Sequence, residues 1–201
     1  MRPDPLTPDR LLVCVVHGHL LVARSSGAEP SQGGPTVPVR PLLSVSDGTL
    51  RRVARWTEVE EEAPELTGRV REAFARGRHA TMATLRADGS PRISGIEVEF
   101  STDGTFRLGS MPGAVKARDL LRDPRVAVHS PTAEPGTGGA DWPGEAKVAG
   151  VAVELPGRSG GAHVFDLDLR EVVWTGLNEA RTVLVIVAWH PGRGVEEHQR
   201  T

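Results

Sequence analysis

The sequence predicts a mainly β fold, an antiparallel barrel or sandwich with few helices, and three observations carry that reading. Strands follow one another directly through Asp-Gly turns from about residue 79 onward; apolar and polar residues alternate along the second of them; and only two segments carry helical periodicity. A doubly wound α/β sheet would instead interleave every strand with a helix.

The first helix is expected at about 64 to 76. Ala63-Pro64-Glu65 sets proline and an acid in an opening turn, Leu66, Val70, Ala73 and Phe74 fall on one face, and Gly77 ends the run. His79 to Leu85 is β-branched and apolar, and Arg86-Ala87-Asp88-Gly89 reads as a hairpin turn. Pro91 to Phe100 puts Ile96, Val98 and Phe100 on one face and Glu97 and Glu99 on the other. Asp103-Gly104 is a second turn, and Thr105 to Gly109 the third strand. At Ser110-Met111-Pro112-Gly113 the period changes. Ala114, Val115, Arg118 and Leu121 favour a helix of about 112 to 122, which Asp123-Pro124 stops. Arg125 to His129, Ala146 to Leu155, Val164 to Gly176 and Thr182 to Trp189 complete a set of seven strands, with a Pro/Gly-rich loop before the fifth.

Composition bounds the partners. The 201 residues include 24 Lys+Arg and 26 Asp+Glu, a net charge of −2, which argues against nucleic acid and against an anionic membrane surface. The 38% hydrophobic content is that of a globular chain. The longest apolar run, Leu11 to Ala23, is too short to span a bilayer and contains His17 and His19. A single cysteine, Cys14, excludes an internal disulfide and fits a reducing, cytoplasmic setting. Residues 1–55 are a different object from the rest: seven arginines against four acids, with Pro/Gly/Ser punctuation, so Glu29 to Pro41 is expected to be loose. The expected organisation is therefore an extension over 1–55, poorly ordered, in which Leu11 to Ala23 reads equally as a strand or hairpin docked on the body or as a segment with no packed role, and a folded domain over 56–201.

The catalytic inventory is thin. Hydrolase, protease, P-loop and dinucleotide motifs are absent, and with no tyrosine in the chain no phenol can serve as acid or base. The pair His17 and His19 reads as solvated rather than as a metal site, and no metal is expected. No side chain stands out as a catalytic acid or base, so an enzyme built on this chain would borrow its reactivity from a cofactor. The best place to hold one is Ser110 and Gly113 leading into a helix whose first turn contains Lys116. Unpaired N–H groups at a helix start form an anion site, a serine can donate, and a lysine adds full charge. Arg92 and Ser94 share one face of the preceding hairpin and can reach the same anion. The competing reading makes Ser110 a cap, Lys116 a solvated helix residue and Arg92 a surface charge.

The ordered blocks HATMATLRADGSPRISGIEVEF, DGTFRLGSMPGAVKARDLLRDPRVAVHS and GEAKVAGVAVEL resemble the pyridoxamine 5′-phosphate oxidase-like, flavin- and deazaflavin-dependent split β-barrel family. The resemblance covers Pro64 to Leu155 and extends to VFDLDLREVVWTG and VLVIVAWHPGRG. It implies a homodimer binding FMN, or the deazaflavin factor 420, in grooves between subunits, acting as an oxidoreductase on a small organic substrate. The implied cofactor-binding residues are Arg92, Ile93, Ser94, Ser110, Met111, Ala114, Val115 and Lys116, with Trp189 stacking near the ring and Arg193 reaching phosphate or substrate. Two departures accompany it. The R-x-V-L-L-K stretch of true pyridoxamine phosphate oxidases is missing, with Ser94 and Glu99 where its arginine and lysine fall, which speaks against oxidation of a vitamin B6 phosphate. The segment Pro156 to His163 is short, which would open the substrate side of the groove. The alternative from another class is a non-catalytic split barrel that stores flavin or handles haem through His79, His129 or His190.

Overall fold

The computed structural model describes residues 10–16, 19–25, 43–46, 49–135, 141–155 and 161–200, with side chains from Val53 on. Two compact units divide at Val53/Ala54. In the first, β1 (Arg10–Val16) pairs antiparallel with β2 (His19–Ser25), and β3 (Leu43–Ser46) with β4 (Thr49–Arg52). His17 and the stretch Glu29 to Pro41 lie outside the described residues.

The second unit runs α1 (Trp56–Glu62), α2 (Pro64–Ala75), β5 (Ala80–Leu85), β6 (Pro91–Phe100), β7 (Phe106–Ser110), α3 (Val115–Arg122), β8 (Arg125–His129), β9 (Glu145–Glu154), β10 (His163–Leu177), β11 (Leu184–His190) and β12 (Gly194–Arg200). The sheet order β10-β7-β6-β5-β8-β9 closes on itself because β9 also pairs with β10, making a six-stranded antiparallel barrel. Closure leaves those strands without free edges. β10 is long enough to serve twice: its first residues pair with β7, its middle with β9, and Val172–Leu177 with β11, which continues into β12 as a hairpin. Its register shifts between Leu169 and Glu171, and opposite that bulge Gly150 is obligatory, since a Cβ there would stand 2.3 Å from the Asp168 carbonyl oxygen.

Inward residues alternate as the barrel requires. Met82, Ile96, Phe106, Leu108, Val128, Val148, Phe165 and Leu167 are all buried. The barrel has two stoppered ends. At one, α1 and α2 lay Trp56 and Phe74 against Phe100 and Phe106 with ring centroids 4.6–5.9 Å apart in edge-on arrangements. At the other, α3 buries Ala117 and Leu120.

In the first unit the pair β3 and β4 was not expected, and in the second two elements were not. α1 is a seven-residue acidic segment held by Trp56 and Val59, both fully buried, and β12 is a polar strand whose order comes from main-chain pairing with β11. A third difference is the start of α3, at Val115 rather than 112. Gly113 sits at φ +71 and the Ala114 N–H bonds the Met111 carbonyl at 3.2 Å, so the preceding residues form a tight turn that cannot be helical.

Candidate functional site

Alternation along β6 turns Arg92 and Ser94 toward the barrel end that α3 covers and leaves Ile93 outward, 69% exposed. Two cross-links tie this strand to the helix. The Arg92 Nε donates to Asp119 Oδ2 at 2.5 Å, and the Lys116 ammonium donates to the Gly95 carbonyl. Asp119 is the centre of the first link: Thr84 Oγ1 donates to Oδ2 at 3.0 Å, and Arg122 bridges Oδ1 at 3.0 Å and the Leu85 carbonyl at 2.5 Å. Burial, the largest influence on this carboxyl, pushes its pKa up, but hydrogen bonds from Arg92, Arg122 and Thr84 together hold it below the usual range. It therefore stays ionised and keeps both guanidinium groups in place.

The start of α3 is uncapped. Ala114 offers no side chain at the cap position, and the N–H groups of Val115 and Lys116 meet no acceptor among the described residues. Four residues before Ala114, Ser110 Oγ is buried and has no hydrogen-bond partner among the described residues. A buried hydroxyl in that state is uncommon and marks a place where a further polar atom belongs. Met111 and Val115 flank the turn at 78% and 44% exposure; with Ile93 they are three of the four large apolar side chains most exposed among the described residues. Arg92 and Ser94 thus stand on β6, Ser110 at the end of β7, and Ala114, Val115 and Lys116 at the start of α3, with β6 and α3 joined by the Arg92–Asp119 and Lys116–Gly95 bonds. The donor types present, a hydroxyl and two N–H groups without acceptors among the described residues, a lysine bonded to a neutral carbonyl and an arginine, are those that a phosphate takes.

Trp189 and Arg193 are elsewhere. Trp189 is 1% exposed, packed in the core, and its Nε1 donates to Glu62 Oε2 at 2.7 Å, so in this chain its ring presents no face to a ligand. Arg193 lies exposed in the turn between β11 and β12. Trp189 pairs with Val172 of β10, whereas Ser110 pairs with His163, nine residues earlier on the same strand. That separation is roughly 30 Å of strand at ~3.3 Å per residue. The three histidines considered for haem all have acidic neighbours: His79 stands 3.6 Å from Glu97, His129 3.2 Å from Glu145 and His190 3.2 Å from Glu171.

Asp119 is the residue that sequence reasoning missed. An aspartate in an amphipathic helix reads as solvated, and the only available signal was its place between the buried positions Ala117 and Leu120. On the outer surface of the barrel, Ile93, Ala83, Ala127 and Ala149 form one cross-strand row over β6, β5, β8 and β9. Its small side chains leave a flat apolar strip, half-buried to exposed.

Residues 66–159 match the family model described as pyridoxamine 5′-phosphate oxidase. No curated protein matches the sequence. Among solved structures, the chain is similar to a pyridoxamine 5′-phosphate oxidase-related, FMN binding protein from Nostoc punctiforme, at 11% identity over 71% of this chain and 97% of that one, TM-score 0.49. It is similar to PhzG from Burkholderia lata in complex with tetrahydrophenazine-1-carboxylic acid, at 13% identity over 73% and 88%, TM-score 0.48. It is also similar to a heme binding protein from Mycobacterium smegmatis, at 16% identity over 68% and 88%, TM-score 0.45.

Proposed function

The chain belongs, through residues 66–159, to the pyridoxamine 5′-phosphate oxidase-like split-barrel family, and from that premise we propose that it is an oxidoreductase binding FMN or the deazaflavin factor 420. The observation that carries this reading is the buried, unpartnered Ser110 Oγ beside an uncapped helix start and the Lys116 ammonium. The phosphate of the cofactor would take the Ser110 hydroxyl, the N–H groups of Val115 and Lys116, and the charges of Lys116 and Arg92. The exposed Met111 and Val115 would cover the apolar part of the cofactor, while Ile93, expected from the sequence to join them, faces the outer wall.

When bound, such a ring accepts and returns a hydride. The chain's own work is to fix the phosphate, keep Arg92 oriented through Asp119, and shield one face of the ring from water. The substrate is a small organic molecule, and no side chain in the cradle is an evident proton donor. The binding domain is residues 56–201, with 1–55 as an extension, and a cytoplasmic setting fits the single cysteine. Two copies would meet through the row Ile93, Ala83, Ala127, Ala149, because a flat strip of small apolar residues on a closed barrel suits a matching strip on a twin. Such a homodimer also offers the Arg193 turn of one subunit a route to the other's cradle, from which its own is remote.

The test is calorimetric titration of the purified chain with FMN and with the deazaflavin. Tight binding of one of them that needs Lys116 and Ser110 supports the reading; absence of binding to both removes it.

A further inference from the structure

A second polar pair stands beside Ser110 at the mouth of the barrel. His163 opens β10 directly opposite Ser110 in the β7–β10 register, and residues so paired project to the same face of the sheet. The His163 Nδ1 lies 2.8 Å from Oε1 of Glu154, the last residue of β9. A carboxylate oxygen only accepts, so Nδ1 carries the hydrogen, and Glu154 fixes both the tautomer and the direction of the ring. Phe165 holds the ring from below, near-parallel at 14° and 6.2 Å between centroids. Among the described residues Nε2 has no partner.

The neighbourhood of the turn into α3 is shared. Gly161, two residues before His163, packs so near Pro112 that a Cβ on it would stand 3.7 Å from the proline Cβ. A buried hydroxyl and an oriented imidazole nitrogen, on adjacent strands and the same face, are both without a partner among the described residues, and one polar group could satisfy both. The charged group in contact with His163 is Glu154 on β9; Arg92 on β6 is held by Asp119, and Lys116 on α3 by the Gly95 carbonyl. Arg107 on β7 points to the opposite face, paired with Asp166.

We propose that His163, its ring fixed by the hydrogen bond from Nδ1 to Glu154, reads the phosphate of the bound cofactor through Nε2 together with Ser110. The inference rests on the cradle proposed above and deepens it by adding the strand that the sequence pattern left out.

Riboflavin, which has the ring and side chain of FMN without the phosphate, separates the possibilities. FMN and riboflavin are titrated by fluorescence quenching against the full chain and against His163→Phe, which keeps a ring of similar volume and loses both nitrogens. The expected result is FMN binding weakened by about ten- to a hundredfold, the scale of one charge-assisted hydrogen bond, with riboflavin binding within about twofold of wild type. Unchanged riboflavin binding also shows that the variant is folded. Glu154→Gln is expected to weaken FMN in the same direction by a smaller factor. FMN binding that survives His163→Phe intact, or FMN and riboflavin falling together, overturns the role of His163 while leaving the cradle standing. A wild-type chain that binds FMN no more tightly than riboflavin overturns the cradle itself, and the histidine's role with it.

Discussion

Lys116 and Asp119 sit one helical turn apart and do opposite kinds of work. Lys116 is half-buried and bonded to a neutral carbonyl, so no carboxylate cancels its charge there. Replacing it with alanine is expected to weaken FMN binding by ~1.5–3 kcal/mol, measured by calorimetry, with the melting temperature nearly unchanged. Asp119 is 3% exposed and its work is internal. Asp119→Ala strands the Thr84 hydroxyl and loosens Arg92 and Arg122, and is expected to cost about 2 kcal/mol in urea unfolding. Because Arg92 then loses its fixed direction, FMN affinity should fall as well. A variant that loses stability but keeps full FMN affinity would show that Arg92 plays no part in the cradle.

At the scale of elements, the turns were the most readable parts. Asp88-Gly89 and Asp103-Gly104 close the hairpins as the sequence suggests, with both glycines at positive φ. Gly104 carries a second constraint: a Cβ there would stand 2.1 Å from Thr57 Cγ2, where α1 crosses the turn. Gly104→Ala is therefore expected to destabilise by about 2–4 kcal/mol through backbone strain and overpacking combined. Adding Thr57→Ala should recover the packing part and leave the strain, a non-additivity measurable in a double-mutant cycle. α1 escaped reading because its order comes from burying Trp56 and Val59 rather than from any amphipathic period. β12 escaped because backbone pairing leaves no trace in a polar sequence. The site divided the same way. Ser110, Gly113 and Lys116 stand out in the sequence as a turn entering a helix, and the turn and helix are there, whereas Asp119 and His163 owe their positions to other elements across the barrel. Trp189 stood in an ambiguous pattern, since an aromatic after an apolar strand suits a core as well as a ring pocket, and the core took it.

For the whole molecule, acid stability is set by carboxylates that the fold keeps ionised. Hydrogen bonding from Thr105, opposed by partial burial and reinforced by Arg107, lowers the Asp103 pKa to about 2 from 3.8. A depressed folded pKa contributes stability that is complete above the unfolded value and is lost as pH falls through the folded one. Thermal melts should therefore show a plateau above about pH 4 and a decline toward pH 2, with Asp103→Asn flattening part of that slope. Assembly is testable at the same scale. Ala127→Arg puts a charge in the middle of the outer apolar row; in sedimentation it is expected to yield monomers that bind FMN weakly, and an unaltered dimer would place the interface elsewhere.

Of the chain's 24 basic residues only Lys116 and Lys147 carry a side-chain amine, and Lys147 is tethered 2.9 Å from Glu145 on the barrel's outer wall. An amine-selective acylating reagent thus has two side-chain targets in the entire polypeptide. The ratio of their adducts in a peptide digest reports occupancy at the β6–α3 junction, with Lys147 as the built-in reference.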